Sequence, residues 1–184
     1  MEMKINCVIG VDPGAGGGIA VYVKDGPVKV VKMPKDISEL MEFAQYVKDN
    51  YKPLVFLEKL SVRPDDIMAK GDGSTMGKLY RIQKMLANYE QLKAIFEAVG
   101  VPFIMVHPLS WQTKLGIRER GVHEDKAERK RRYRQYATKL YPQIHVTLWN
   151  ADALLIMHFG RWVMANDFNW IKSNLPDKVK STIF

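Results

Sequence analysis

The sequence predicts an α/β protein with one sheet of mixed direction. Three short apolar segments come first, then a helix, a strand, a second helix, a fifth strand and finally helices only. This order is typical of a sheet that starts as a meander and continues through helical crossovers. At 184 residues, with 47% hydrophobic side chains, the chain is long enough to form one domain with a substantial core.

The strands are predicted from apolar segments bounded by turns. A glycine-rich turn over residues 14–18 and the turn Asp25–Pro27 separate the first three strands. Alternation along the first strand places Val8, Gly10 and Asp12 on one face. The five predicted strands are residues 5–12, 19–24, 28–33, 54–57 (ending at Glu58) and 103–106.

The helices are predicted from apolar side chains that recur every three or four residues. The first helix can serve as the crossover that makes the fourth strand parallel to the first. Its expected buried stripe is Ile37, Leu40, Met41, Ala44 and Val47, and that of the long second helix is Leu79, Ile82, Leu86, Tyr89, Leu92, Ile95 and Phe96. The predicted helices are 36–50, 75–99, 109–115, 124–141 and 150–165.

The domain organisation follows from these elements. Residues 1–165 are predicted to form one domain, and 166–184 a C-terminal tail to which no structure is assigned. The polar segment 61–74 is predicted to be an exposed loop. With Cys7 as the only cysteine, no signal peptide and no apolar stretch of about 18 residues, we expect a cytoplasmic protein without disulfides or a membrane partner.

Three acids stand at the ends of apolar elements. Asp12 and Glu58 end strands, and sites in open α/β sheets form beyond the carboxyl ends of strands. Asp152 heads a core-facing stripe that continues through Leu155 and Ile156. A buried carboxylate is costly without a cation, and carboxylates suit Mg²⁺ or Mn²⁺. We therefore interpret Asp12, Glu58 and Asp152 as metal ligands and catalytic residues of a two-metal phosphodiesterase site. A surface ion pair for Glu58 and a helix-dipole role for Asp152 are the structural alternatives.

The charge of the chain favours a polyanionic partner. The formal net charge is +8, and nine lysines and arginines stand against four acids within residues 118–139. We interpret this segment as a phosphate-binding surface, the alternative being an inert solvated face. Lys114 and Lys126 are the residues expected to reach the scissile phosphate. The predicted nucleic-acid-binding residues are Lys114, Lys126, Arg129, Lys130, Arg131, Arg132 and Arg134.

The glycine-rich segments do not match nucleotide-binding motifs. Ile19 stands where the third glycine of a dinucleotide fingerprint belongs, and a strand follows instead of a helix. Leu79 follows Lys78 where a phosphate loop needs Ser or Thr. We therefore predict no nucleotide cofactor and interpret residues 14–18 as a tight turn that a substrate backbone can approach.

Several motifs in this order resemble the RuvC-type Holliday junction resolvases, in particular the compact phage-type members. The matching motifs are Val11–Gly14, Phe56–Glu58, His107-Pro108 with Trp111–Gly116, Lys126, Tyr141-Pro142 and Ala151–Leu155. The resemblance implies an RNase H-like fold with strand order 3-2-1-4-5 and an antiparallel strand 2. It also implies a homodimer in a phage or bacterial host cytoplasm, which cuts four-way DNA junctions by paired nicks. Two Mg²⁺ per site, with Mn²⁺ as a substitute, would give 5'-phosphate and 3'-hydroxyl ends.

One position departs from that resemblance. The cellular family usually has an acid or histidine three residues before its last acid, and Trp149 stands there in this chain. Asn150 or His145 could replace the missing ligand, or DNA could hold one metal.

Three other functions remain open. The same acids suit an RNase H-like nuclease for flaps or RNA–DNA hybrids, and the missing ligand suits a weakly catalytic junction-binding protein. A sugar kinase or ATPase of the actin-like fold also opens with a strand, Asp and glycine turn, but it needs a second large domain.

Overall fold

The sheet is the centre of the computed structural model, which describes residues 5–14, 16–60, 75–119, 121 and 124–183. Strand β1 pairs antiparallel with β2 and parallel with β4, and β4 pairs parallel with β5. The order β3-β2-β1-β4-β5 confirms the predicted five-stranded mixed sheet of an RNase H-like fold. The strands are β1 (Cys7–Asp12), β2 (Gly18–Val23), β3 (Lys29–Lys32), β4 (Pro53–Glu58) and β5 (Phe103–Val106).

Helices cover both faces of the sheet. The predicted loop 61–74 lies outside the described residues. The helices are α1 (Ile37–Asn50), α2 (Thr75–Val99), α3 (Pro108–Lys114), α4 (Lys126–Leu140), α5 (Ala151–Asn166), α6 (Phe168–Asn174) and α7 (Asp177–Ile183). No helix among the described residues is long and apolar enough to cross a membrane.

Each face of the sheet has its own hydrophobic core. Ile9 and Val11 of β1 pack with α1 and the second half of α2, whereas Val8 packs with α5 on the opposite face. This division follows the predicted alternation along β1, because successive side chains of a strand point to opposite faces. The sheet is therefore the middle of three layers.

The apolar stripes of α1 and α2 are narrower than predicted. Ile37 and Met41 are exposed, and Leu79 and Leu86 are 36% and 37% exposed, so these four assignments to the core were wrong. In α2 the fully buried side chains begin at Tyr89. Only the second half of this helix packs against the sheet, which sequence periodicity does not reveal.

The C-terminal tail is helical and completes the core on the α5 side. Ile171 and Leu175 are buried, and the ring of Trp170 stacks on Phe56 with 6.4 Å between centroids. No structure was predicted for this segment because its apolar residues are few and spread over two short helices. Residues 166–183 and the preceding chain share one hydrophobic core.

Candidate active site

Two of the predicted acids lie side by side at one edge of the sheet. Asp12 and Glu58 are the last residues of the parallel neighbours β1 and β4, directly after the paired residues Val11 and Leu57. Because parallel strands end at the same edge, their carboxylates are neighbours. Both residues are partly exposed there.

Gly10 brings the third acid to the same edge. A Cβ atom at this position would collide with the backbone of Ala153 and Met157 in α5. The absence of a side chain lets α5 lie directly on β1, and Asp152 in its first turn reaches the ends of the strands. Asp152 faces inward as predicted and is only 5% exposed. We call Asp12, Glu58 and Asp152 the acid cluster.

The glycine-rich turn closes tightly around Asp12. The Gly14 N–H donates to Asp12 Oδ1 at 3.4 Å, and Gly17 N–H donates to the Gly14 carbonyl at 2.8 Å. A Cβ atom on Gly17 would lie 2.9 Å from Asp12 Cγ. The turn therefore needs glycine because its backbone contacts the carboxylate.

Trp111 holds the carboxylate of Glu58. Its indole N–H donates to Glu58 Oε1 at 2.9 Å, and the ring is fully buried, edge-on to Tyr133 with 5.4 Å between centroids. From the sequence, Trp111 was named only as part of a matching motif and was assigned no role at the acids. One physical signal could have indicated a polar role for Trp111, because a buried indole N–H requires a hydrogen-bond acceptor.

Lys130 is the cation that meets the acid cluster. Its ammonium pairs with Asp152 Oδ2, whereas Asp152 Oδ1 has no hydrogen-bond partner among the described residues. Asp125 caps α4 by accepting from the N–H groups of Ala127 at 2.8 Å and Glu128 at 3.0 Å. Lys130 was one of seven predicted phosphate ligands, and the structure places it, not Lys126, against the acids.

The pKa shifts show that these groups form one electrostatic unit. Burial, followed by the charges of Asp12 and Asp152, raises the pKa of Glu58 to about 8. Burial, followed by the charge of Asp152, raises the pKa of Asp12 to about 6. Burial alone would lower the pKa of Lys130, but attraction to the three acids outweighs it and raises this pKa. One lysine therefore does not neutralise the cluster.

The acid cluster fits a divalent cation in its chemistry. Carboxylate oxygens are the ligands that Mg²⁺ and Mn²⁺ prefer. Asp152 Oδ1 has no hydrogen-bond partner among the described residues, so this oxygen is free to ligate a cation. However, among the described residues no three Asp, Glu, His or Cys side chains form a ready-made metal-binding group. Lys130 engages Asp152 Oδ2, so Oδ1 is the Asp152 oxygen that is available to a cation in this arrangement.

The residues suggested for a fourth ligand are engaged elsewhere. Asn150 Oδ1 accepts from the Thr147 N–H at 2.8 Å, and its amide donates to the His145 carbonyl at 3.1 Å. Asn150 is the N-cap residue of α5, but its side chain makes no capping hydrogen bond and bonds this loop instead. His145 is exposed. The ring of Trp149 packs against Gly18.

The remaining predicted phosphate ligands divide into exposed and paired cations. Lys126, Arg131 and Arg134 are exposed on α4, and Arg129 is partly buried. Arg132 instead pairs with Glu124 and donates to the Ile117 carbonyl at 2.7 Å.

Lys114 pairs with an acid outside the acid cluster. Its ammonium is 3.2 Å from Asp167 Oδ2 and 4.7 Å from the ring centroid of Trp162. The expectation that Lys114 reaches the scissile phosphate stays a prediction.

Comparison with known proteins identifies the fold. No protein-family model matches the sequence, and no curated protein is significantly similar to it. Among solved structures, the chain is similar to Thermus thermophilus RuvC in complex with a Holliday junction substrate. That match has 15% identity and a TM-score of 0.52, and it covers 88% of this chain and 96% of the other. A further structure of Thermus thermophilus RuvC matches at 16% identity and the same TM-score, over 92% and 98% of the two chains. The protein therefore has a RuvC-like, RNase H-like fold.

Proposed function

We propose that this protein is a divalent-metal-dependent endonuclease that resolves four-way DNA junctions. The observation that carries the proposal is the placement of Asp12 and Glu58 at the carboxyl ends of two parallel strands, with Asp152 brought to the same end by the close contact of α5 with β1. This arrangement occurs on a fold that is similar to that of Thermus thermophilus RuvC in complex with a Holliday junction substrate. A structural ion pair would not need three carboxylates around one lysine.

Each side chain has a distinct role in the proposed reaction. Asp12, Glu58 and Asp152 would hold a Mg²⁺ or Mn²⁺ ion, which would activate water and stabilise the leaving oxygen when bound. Trp111 fixes the carboxylate of Glu58 through its N–H. Lys130 leaves Asp152 and becomes available to the negative charge of the scissile phosphate. Cleavage by water yields a 5'-phosphate and a 3'-hydroxyl.

The exposed cations of α4 bind the DNA backbone without recognising its base sequence. Lys126, Arg131 and Arg134 are exposed on the same helix that carries Lys130, so DNA held by them lies close to the acid cluster. Contacts of this kind position a backbone without recognising bases. The proposal includes a homodimer of the compact phage type in phage or bacterial host cytoplasm, because paired nicks of opposed strands need two sites.

A substrate panel tests this function. Wild-type protein is incubated with a four-way junction, a flap, an RNA–DNA hybrid and a linear duplex of matched sequence, with and without Mg²⁺. We expect paired nicks in the junction only with Mg²⁺. Preferential cutting of the flap or hybrid would replace junction resolution by another RNase H-like nuclease activity, and no cutting in Mg²⁺ or Mn²⁺ would refute the nuclease.

A weakly catalytic junction-binding protein is the second candidate. Two observations favour it: Lys130 pairs with Asp152, and Trp149 packs against Gly18 where the resemblance calls for a ligand. Tight, salt-sensitive junction binding without nicking in Mn²⁺ would support this candidate.

A further inference from the structure

The indole of Trp149 lies next to the acid cluster. A Cβ atom on Gly18 would lie 2.9 Å from Cζ3 of this ring, and Gly18 pairs with Asp12 across strands β1 and β2. The adjacent Gly17 contacts the Asp12 carboxylate in the same way. Trp149 also precedes Asp152 by three residues. The ring therefore forms one wall of the candidate active site.

The surroundings of this indole combine an aromatic surface with positive charge. The Lys32 ammonium lies 5.8 Å from the ring centroid, and both Lys32 and Leu148 are exposed. An exposed cation–π contact is weak, so another group can take the place of Lys32 at the ring. Aromatic side chains beside cations are the groups on which single-stranded nucleic acids stack their bases.

Packing alone explains only part of this arrangement. Contact with Gly18 accounts for the buried edge of the ring, but Trp149 remains partly exposed at the rim of the site. The close contact with the strand backbone also limits how far the indole can move. A rigid aromatic surface loses little freedom when a ligand stacks on it.

We propose that Trp149 stacks on an unpaired nucleobase next to the phosphate held at the acid cluster. This inference rests on the proposed function and names what selects the substrate. Bases inside a linear duplex are stacked on each other, whereas a base at a branch point can present a free face. Trp149 therefore favours branched DNA over duplex, and Lys32 can contact the phosphate that flanks the stacked base.

Variants that separate stacking from packing test this inference. They are compared in an Asp12→Asn background, so that DNA is bound without being cut. Trp149→Phe keeps an aromatic face, whereas Trp149→Leu keeps apolar volume without one. We expect Trp149→Leu to weaken four-way junction binding roughly 5- to 100-fold, the range seen when one stacked base is lost. Trp149→Phe stays within about threefold of its parent, and neither changes duplex binding.

A matched control removes an exposed aromatic ring elsewhere. Tyr46 is exposed on α1 and contacts Tyr51, which precedes β4 at the opposite edge of the sheet from the acids. Tyr46→Leu should leave junction affinity unchanged. The stacking role would be overturned if Trp149→Phe and Trp149→Leu both bind the four-way junction as tightly as their Asp12→Asn parent.

Cross-linking supplies a readout that needs no substitution at residue 149. A junction with 5-iododeoxyuridine at the branch point is irradiated in complex with the Asp12→Asn protein, and the attached peptide is mapped. We expect attachment to Trp149, whereas attachment only to other residues would overturn the inference. Cross-linking to Trp149 without nicking by wild-type protein would refute the nuclease and leave the stacking role standing. Nicking without that cross-link would support the nuclease and refute the stacking role. If the protein does not bind the junction at all, both the nuclease and the stacking role are refuted.

Discussion

The acid cluster and the exposed surface of α4 use charge in opposite ways. In the cluster, three carboxylates share Lys130, and burial together with mutual repulsion raises the pKa of Asp12 and Glu58. On α4, the side chains of Lys126, Arg131 and Arg134 are exposed to solvent. We call these three residues the α4 basic surface. A charged side chain therefore costs free energy in the acid cluster, whereas it costs little on the exposed surface of α4.

This difference separates what each region can contribute. Buried charges interact strongly and are little screened by salt, so under the proposed function the acid cluster would govern cleavage. Solvated cations gain from releasing counterions when they meet phosphates, so under the same proposal the α4 basic surface would govern DNA affinity and its salt dependence. Substitutions in the two regions should consequently have different signatures.

The largest effect is expected from removing one charge in the acid cluster. Asp12→Asn should reduce Mg²⁺-dependent nicking of a four-way junction by at least about 100-fold, above the loss typical of residues that only support a ligand. Junction binding should persist. Asp49→Asn is the control, because that acid is exposed on α1 and accepts from Gln45 at 2.8 Å. Unchanged nicking by Asp12→Asn would remove Asp12 from the site.

Loss of the hydrogen bond to Glu58 should have the next largest effect. Trp111→Phe removes the N–H donor and should weaken Mn²⁺ binding, measured by titration calorimetry, by about 10- to 100-fold. Tyr133→Phe is the matched control, since the buried Tyr133 hydroxyl has no partner among the described residues. If both variants bind Mn²⁺ like wild type, Trp111 does not position Glu58.

Charge reversal on the α4 basic surface should change binding but not the metal site. Arg131→Glu with Arg134→Glu should lower junction affinity about tenfold or more and reduce the slope of log affinity against log salt by about two. Lys24→Glu with Lys52→Glu carries the same charge change on exposed lysines away from α4. Equal salt slopes for the two double variants would contradict the assignment. Arg132 is unsuitable for this test because it is paired with Glu124.

The smallest expected effect is on the stability of the metal-free protein. The pKa of Glu58 is raised from 4.5 to about 8, so its favourable contribution is complete below pH 4.5 and is lost as the pH rises through 8. Glu58→Gln should therefore be more stable than wild type at pH 8.5 in EDTA, by about 1 to 2 kcal/mol, and the difference should shrink towards pH 5. Urea unfolding at both pH values measures this, and a pH-independent difference would contradict it.

The fold and the position of two acids were predictable because they depend on local patterns. Alternation in β1 and the crossover through α1 place Asp12 and Glu58 at one edge of a parallel pair. The apolar spacing after Asp152 correctly indicates that this acid faces inward. Periodicity could not show that α2 packs only through its second half, because exposure depends on where neighbouring elements end.

The rotation of α4 about its own axis determines which lysine lies at the acid cluster. Lys130 shares one side of the helix with the buried Tyr133 and Ala137, three and seven residues later. This spacing was a usable signal, but Lys126 lies on the same side one turn earlier. Only the packing of Tyr133 against Trp111 places Lys130, and not Lys126, beside Asp152.

The sequence by itself determined the positions of the strands, their faces and the ends at which the acids stand, because these follow from periodicity and short connections. The full strand order was implied by the family resemblance. The tertiary structure decided which groups meet those acids: Lys130 at Asp152, Trp111 at Glu58 and Trp149 against Gly18. Such contacts join segments far apart in the chain. They depend on how closely rigid elements approach, as Gly10 shows by letting α5 lie on β1.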